Sequence, residues 1–238
     1  MRYLFLIELN MLYFILVVFK PLLKWEARSL ENPSVNYKDE LYNSLAQLSR
    51  GIASNRRLEI LDLLTQASKS VEEISKETGM SIANTSRHLQ VLKDSHLVKT
   101  TRLGNRIIYR LASSQISDLI RLLINVGENS MSEMQHIEQQ ADHIPDVKTV
   151  SLTEAQRMQK ETFLLDVRPQ DEFAENHVDG AINIPLDQLS DSLSRLPKDQ
   201  RIIVYCRGRL CVNANSAAQI LNRAGFDAYS LNRSVLDW

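Results

Sequence analysis

The two cysteines of the chain, Cys206 and Cys211, lie in one short polar segment. An apolar run at residues 201–205 precedes Cys206 and is typical of a buried strand, and a helical pattern follows the segment. Loop amides and a helix N-terminus at such a junction stabilise an anion, and Arg207 and Arg209 add positive charge. Both effects favour the thiolate, so we expect Cys206 to be a nucleophile that can also carry a persulfide.

The length of this loop separates two kinds of chemistry. Phosphatases of similar architecture place an arginine six positions after the cysteine, where it grips phosphoryl oxygens, and here that position is Val212. The shorter loop suits a sulfur atom. Two interpretations of Cys211 stay open: it resolves a Cys206 persulfide by forming a disulfide within the loop, or it is a small buried residue at the helix start. The predicted reactive loop comprises Cys206, Arg207, Gly208, Arg209, Leu210 and Cys211.

The reactive loop belongs to a segment, residues 148–238, in which short apolar strands alternate with helices. This alternation predicts an α/β domain with a parallel sheet. Asp166 and Arg168 stand at the end of a predicted strand, residues 163–167, and we expect them to hold the loop and the strand end by hydrogen bonds and charge. We expect His177 to be structural as well.

A basic patch occupies residues 81–112, in a chain whose net charge is −1. This patch has six Lys or Arg residues against one acid, whereas residues 113–150 have two bases against six acids. A local excess of positive charge on a nearly neutral chain predicts a polyanionic partner for this segment alone.

Periodic apolar residues and capping residues predict four helices through this region. The third opens on the capping box Ser70-Val-Glu-Glu73 and ends at Gly79, and the fourth begins after Ser81. These two helices fit a helix-turn-helix with the fourth as the reading helix, and strands 98–102 and 106–111 form a hairpin that serves as a wing. The residues expected to contact DNA are Ser81, Asn84, Thr85, Ser86, Arg87, His88, Gln90 and Lys93 on the helix, and Arg102, Asn105 and Arg106 on the wing.

The chain of 238 residues is long enough for two modest domains. Its 44% apolar and 24% charged residues are typical of a globular protein, and two cysteines are too few for a secreted disulfide scaffold, which favours a reducing cytoplasm. The predicted segments are an apolar extension and linker at 1–35, a DNA-binding domain at 36–127, a linker at 128–147, and a sulfur-carrying domain at 148–238.

The apolar N-terminus has three interpretations that stay open. Its longest uninterrupted apolar run, Met11 to Phe19, is nine residues, whereas a bilayer span needs about 20. The segment is therefore a weak membrane anchor, an additional packing helix, or the result of a wrongly assigned translation start. We favour the last, because the domain patterns begin only near Val35.

Two families are recognisable in these patterns. Residues 55–64, 81–92 and 103–110 closely resemble the ArsR family of winged-helix repressors, and residues 166–173, 177–185 and 205–211 resemble the rhodanese family. The resemblance implies an α+β winged helix-turn-helix followed by an α/β rhodanese-like domain with a parallel sheet. It also implies a homodimer built partly on the helix at residues 114–125, and a double-stranded DNA operator with two-fold symmetry.

Metal sensing, which is common in the ArsR family, is not expected here. The third helix, where many family members carry cysteine ligands, has none in this chain. His136, Glu138, Asp142 and His143 follow the dimerisation helix, but their spacing does not form a tetrahedral set, and a polar linker explains them better. We therefore expect no metal and no cofactor.

Two functional hypotheses follow. In the first, the protein is a transcriptional regulator, most simply a repressor, whose rhodanese domain carries or senses sulfane sulfur on Cys206, with thiosulfate or polysulfide as the small donor. In the second, it is a sulfurtransferase that passes sulfur from such a donor to a thiol or to cyanide, and the winged helix serves as a tether.

Overall fold

The computed structural model describes residues 33–238, and the predictions made for residues 1–32 lie outside this range. The chain separates into two compact units, with the boundary between Gly51 and Ile52. The described part of the first unit consists of residues 33–51, which belong to helix α1, Pro33–Ile52; Tyr37, Leu41, Tyr42 and Leu45 of this helix are exposed. Among residues 33–238, no helix combines the length and apolar character that crossing a membrane requires.

The second unit begins with a winged helix-turn-helix. Its elements are α2, Asn55–Gln66; β1, Lys69–Ser70; α3, Val71–Thr78; α4, Ile82–Asp94; β2, Val98–Leu103; β3, Arg106–Leu111; and α5, Ser114–Ser130. The three strands form an antiparallel sheet in the order β1-β3-β2. The predicted hairpin is therefore confirmed, and β1 adds a short third strand that no local pattern predicts.

The helix-turn-helix is fixed by its caps. The Ser70 side chain accepts from the backbone N–H of Glu73, and the Glu73 carboxylate accepts from the backbone N–H of Ser70, which completes the predicted capping box. Gly79 ends α3 with φ of +66°, a left-handed conformation that favours glycine. The Ser81 hydroxyl oxygen then accepts from the Asn84 N–H and starts α4. The left-handed Gly79 and the Ser81 cap together set the angle between α3 and α4.

The acidic stretch after the winged helix is helical. Helix α5 ends at Ser130, five positions beyond the helix named at residues 114–125, and α6, Ser132–Asp142, follows almost at once. The sequence predicts a linker at residues 128–147, and the structure places a separate helix within that segment.

The C-terminal part is a parallel α/β domain. Its elements are α7, Leu152–Met158; β4, Phe163–Asp166; α8, Gln170–Glu175; β5, Ile182–Asn183; α9, Leu186–Leu189; β6, Ile202–Tyr205; α10, Asn213–Arg223; and β7, Ala228–Leu231. The sheet order is β5-β4-β6-β7, with parallel pairs throughout. The predicted parallel sheet is confirmed. Ile202, Val204 and Cys206 face α10 in one core, and Ile203 and Tyr205 face α7 in the other.

Candidate functional site

The cysteine loop connects the carboxyl end of β6 to the start of α10. Cys206 continues the inward alternation of the strand and is only 1% exposed. Gly208 has φ of +115°, and a Cβ there would lie 3.1 Å from the backbone nitrogen of Ser234. A side chain at position 208 is therefore disfavoured both by the backbone conformation and by the close approach of the neighbouring turn, and the loop keeps a tight curve around the thiol.

The two thiols are in direct contact, with 3.3 Å between the sulfur atoms. The hydrogen bond from Cys206, helped by the Asn213 N–H and by Arg207, lowers the pKa of Cys211 to about 6 against the opposing effect of burial. The same hydrogen bond, burial and the charge of Cys211 raise the pKa of Cys206. The opposite directions of the two shifts favour a resting pair in which Cys211 is the thiolate and Cys206 keeps the proton.

Arg207 ties the loop to the helix-turn-helix. Its guanidinium donates to both carboxylate oxygens of Glu172 on α8, at 2.7 to 3.1 Å, and to Glu77 on α3 at 2.7 Å. These carboxylates raise the pKa of Arg207 although burial opposes them. Lys69 on β1, itself 1% exposed, approaches the same Glu172 at 2.9 Å and Asp171 at 2.7 Å. The positive charge of Arg207 beside the cysteines therefore belongs to a network of ion pairs. This network connects the helix-turn-helix domain to the parallel α/β domain.

Arg209 ties the loop to α6. It bonds Asp142 at 2.8 Å and lies 3.4 Å from Glu138. The two carboxylates considered for a metal site are thus engaged by this arginine, while His136 contacts Gln140. Among the described residues, no group of three or more potential ligands is placed to hold a metal ion.

Asp166 and Arg168 form a fully buried ion pair at 2.7 Å. Arg168 also donates to the Asn176 carbonyl and to the Gln66 side chain of α2. These bonds fix the end of β4 and connect the parallel α/β domain to α2. Among the described residues 33–238, neither side chain of this pair forms a hydrogen bond with the cysteine loop. Arg168 also lies 5.8 Å from the ring of Tyr205, the residue before Cys206, and a role of the pair in holding the loop stays a prediction.

Asp62 on α2 faces the loop from the other domain. With Arg207 and Gly208 it lines a narrow cavity of about 40 Å³. Burial raises the pKa of this carboxyl to about 7, with Arg207 opposing the shift and Cys211 adding to it. Asp62 was not selected from the sequence as a site residue. An acidic residue on a helix face is expected to be solvated, and only the packing of the two domains shows that Asp62 faces the loop.

The reading helix presents most of the residues predicted to contact DNA. Asn84, Ser86, Arg87 and Gln90 are exposed, as are Ser81, Lys93 and the wing residues Arg102, Asn105 and Arg106, whereas His88 is half-buried. Thr85 is fully buried, and its hydroxyl donates to the Ser81 carbonyl. The prediction for Thr85 is therefore wrong, because its position in the helical repeat lies on the buried face of α4.

A helix-turn-helix with a wing, followed by a parallel α/β domain that carries a cysteine loop after one of its central strands, defines a two-domain DNA-binding protein of the winged-helix and rhodanese kind. The family model for bacterial regulatory proteins of the arsR family matches residues 54–100, and the model for rhodanese-like domains matches residues 151–238. The chain belongs to the arsR family of bacterial transcriptional regulators and carries a rhodanese-like domain.

Relatives are found for the whole chain and for each half. An HTH-type transcriptional regulator of Mycobacterium tuberculosis is 35% identical over 205 residues, which is 84% of this chain and 89% of that protein. The thiosulfate sulfurtransferase of Shewanella oneidensis is 30% identical over 97 residues, 40% of this chain and 90% of its own length. A homodimeric winged helix-turn-helix domain from Mycobacterium bovis is 36% identical, covers 40% of this chain and 89% of that chain, and has a TM-score of 0.39.

Proposed function

We propose that this regulator binds its operator through α4 and the wing, and that sulfane sulfur on the Cys206–Cys211 pair changes that binding. The observation that carries the proposal is the 2.7 Å bond between Arg207 of the cysteine loop and Glu77 of the helix-turn-helix. An arginine held by two carboxylates at once cannot move without changing both contacts, because each charge-assisted bond is directional.

The first chemical step loads sulfur on Cys206. The Cys206 sulfur attacks the sulfane sulfur of the donor while its proton passes to the Cys211 thiolate, 3.3 Å away. The sulfur–sulfur bond of the donor breaks, and the electron pair leaves with sulfite when thiosulfate is the donor. The product is a Cys206 persulfide whose charge faces the loop amides and Arg207.

A second step yields a disulfide. Cys211, which now holds the proton taken from Cys206, attacks the inner sulfur of the Cys206 persulfide, and this proton passes to the outer sulfur. The Cys206–Cys211 bond forms and hydrogen sulfide ion leaves with the electrons of the broken sulfur–sulfur bond. Both products change the loop, since one adds an atom within a tight curve and the other draws the two sulfurs to about 2.05 Å.

The loop also touches the surface we assign to dimerisation. Leu210 lines an apolar groove of about 370 Å³ together with α2, α5 and the start of α6. Leu122, Leu123 and Val126 of α5 are exposed beside it. An exposed apolar patch of this kind marks an interaction surface, and we assign it to a second copy of the chain, so that the homodimer reads a two-fold symmetric operator as a repressor.

Operator binding in two sulfur states tests the proposal. An operator is selected from random DNA with the reduced protein, and its Kd is measured by fluorescence anisotropy before and after treatment with polysulfide. We expect at least a tenfold change for the wild type and for Asp199→Asn, a distant surface control, and no change for Cys206→Ser. Equal affinity in both states of the wild type would contradict the proposal.

Enzymatic turnover is the second candidate function, favoured by a cleft of about 540 Å³ that reaches the loop at Arg207 and Asn213. Sulfur transfer from thiosulfate to cyanide, measured as thiocyanate, decides it. Repeated turnovers that Cys206→Ala abolishes support an enzyme, and a single stoichiometric transfer leaves the protein a sensor.

A further inference from the structure

The tip of the wing carries an apolar side chain that stands out into solvent. Leu103, the last residue of β2, is 71% exposed, which is more than any other large apolar residue within residues 33–238. Isolated exposed apolar residues are common on protein surfaces, so the surroundings of Leu103 decide whether it binds anything.

The surroundings of Leu103 are those of a nucleic-acid contact. Residues 98–112, which contain both wing strands, have four basic side chains and no acidic one. Leu103 lies directly opposite Arg106 in the hairpin, so the two side chains project from the same face. Arg102 donates from Nε to the Gly104 carbonyl at 3.0 Å, which holds the turn beyond Leu103 in place. An apolar side chain framed by cations complements a groove bordered by phosphates.

The length of the wing sets which groove Leu103 can reach. Strand β2 begins four positions after α4 ends at Asp94, and its six residues extend about 20 Å at about 3.3 Å per residue. When α4 lies in the major groove, the neighbouring minor groove is about half a helical turn away, or about 17 Å. The tip of the wing therefore reaches the minor groove beside the bases that α4 faces.

We propose that Leu103 enters this minor groove as a wedge between two base pairs and kinks the operator, while Arg106 lies in the same groove. Leucine is one of the apolar side chains that partly unstack a base step in this way. Pyrimidine–purine steps unstack most easily, so the wedge selects a TA or CA step at a position where no hydrogen bond reads the bases. The inference rests on the proposed function, since a homodimer places one wedge in each half of a symmetric operator.

Base unstacking in the operator tests the wedge. The operator selected with the reduced protein carries 2-aminopurine at one adenine after another, and its fluorescence rises when that base loses a stacking neighbour. At one step in each half-site we expect a rise of at least about threefold with the wild type and with Leu103→Met, and none with Leu103→Ala. Ile107→Ala, a change of an exposed apolar residue on the opposite face of the hairpin, should match the wild type. Energy transfer between dyes at the two ends of the operator should show a bent duplex with the wild type and a straighter one with Leu103→Ala.

Salt dependence distinguishes the wedge from an ordinary phosphate contact. For Arg106→Gln, we expect weaker operator binding and a logarithmic slope of Kd against salt that is smaller by about one, because one phosphate contact is lost. Its unstacking signal at saturating protein should persist. For Leu103→Ala, we expect about a tenfold higher Kd and an unchanged slope, since no charge is removed.

The outcomes separate this inference from the proposed function. If the wild type binds its selected operator without any rise in fluorescence, the wedge is overturned and the proposed DNA binding stands. If Leu103→Ala keeps the signal, another residue unstacks the bases and the assignment to Leu103 fails. Loss of self-association in Leu103→Ala without DNA, measured by sedimentation velocity, would show that Leu103 contacts a second copy, which also overturns the wedge. If the wild type enriches no sequence from random DNA, both proposals fail.

Discussion

At the scale of residues, the chemistry of the site depends on how two thiols share one proton. The sequence predicts an anion-stabilising loop around Cys206, whereas the raised pKa of Cys206 and the lowered pKa of Cys211 favour the thiolate at Cys211. The difference arises because Cys211 also accepts from the backbone N–H of Asn213 and is less deeply buried than Cys206. Cys206 as the sulfur carrier stays a prediction, with Cys211 as the base that takes its proton.

The shared proton predicts a pH profile. Alkylation of Cys211 by iodoacetamide, followed by peptide mass, should rise with pH through about 6 and level off above 7 in the wild type. In Cys206→Ala the donor is lost, and the inflection should move up toward the ordinary value of about 8.5. Cys206→Ser, which keeps a hydroxyl donor, should stay between the two. A wild-type inflection at the ordinary value would exclude the shared proton.

Asp62 predicts a pH dependence of stability. Its pKa rises from 3.8 in the unfolded chain to about 7 in the folded protein, so between these values the folded state keeps a proton that the unfolded state has lost. The stabilisation is complete below pH 4 and is lost as pH rises through 7. Asp62→Asn should therefore stabilise the protein at pH 8 by on the order of 2 kcal/mol and by much less at pH 5. Chemical denaturation at the two pH values measures this, and an equal effect at both, or one matched by Asp199→Asn, would refute it.

At the scale of elements, Glu172 on the short helix α8 joins β1 of one domain to the loop of the other. It is fully buried and accepts from Lys69 and Arg207 at once. Removing one partner of a buried pair leaves an uncompensated charge, which costs far more than the loss of a surface ion pair.

Glu172→Gln should therefore lower the free energy of unfolding by about 3 kcal/mol. Glu175→Gln, an exposed change on the same helix, should alter it by less than about 0.5 kcal/mol. Urea unfolding of both variants provides the comparison. Similar stabilities for the two variants would mean that the network contributes little to holding α8 in place.

The elements themselves were largely predictable. Two short strand patterns around a turn predict the hairpin at residues 98–111. Ser70, Gly79 and Ser81 mark the helix boundaries, because their side chains or backbone conformations suit capping positions. Elements too short to show a period, such as β1 with two residues and α9 with four, were not predictable. Thr85 was misplaced because residue type suggested a DNA contact, whereas helical phase buries it.

At the scale of the whole molecule, the contact between the domains could not be predicted from the sequence. Glu77 and Arg207 are 130 positions apart, and Lys69 and Asp171 are 102 apart. Each of these residues taken alone reads as a solvated surface charge, and only the docking of the two folds brings them together. Both domains and the reactive loop were predicted from the sequence. The contact between the DNA-binding domain and the rhodanese-like domain was not.

The contact between Glu77 and Arg207 provides the most direct test of the proposed coupling between the sulfur site and the DNA-binding site. Such coupling is a free energy, and a substitution of one residue at the contact can remove it. The quantity to measure is the ratio of operator Kd in the sulfur-loaded and reduced states, for the wild type, Glu77→Ala and Glu72→Ala, the last an exposed acid on the same helix. We predict a ratio of at least about ten for the wild type and Glu72→Ala, and a ratio near one for Glu77→Ala, with its loop still loading sulfur to the same extent by intact mass. A ratio in Glu77→Ala equal to that of the wild type would contradict the claim that sulfur chemistry reaches the DNA through Arg207.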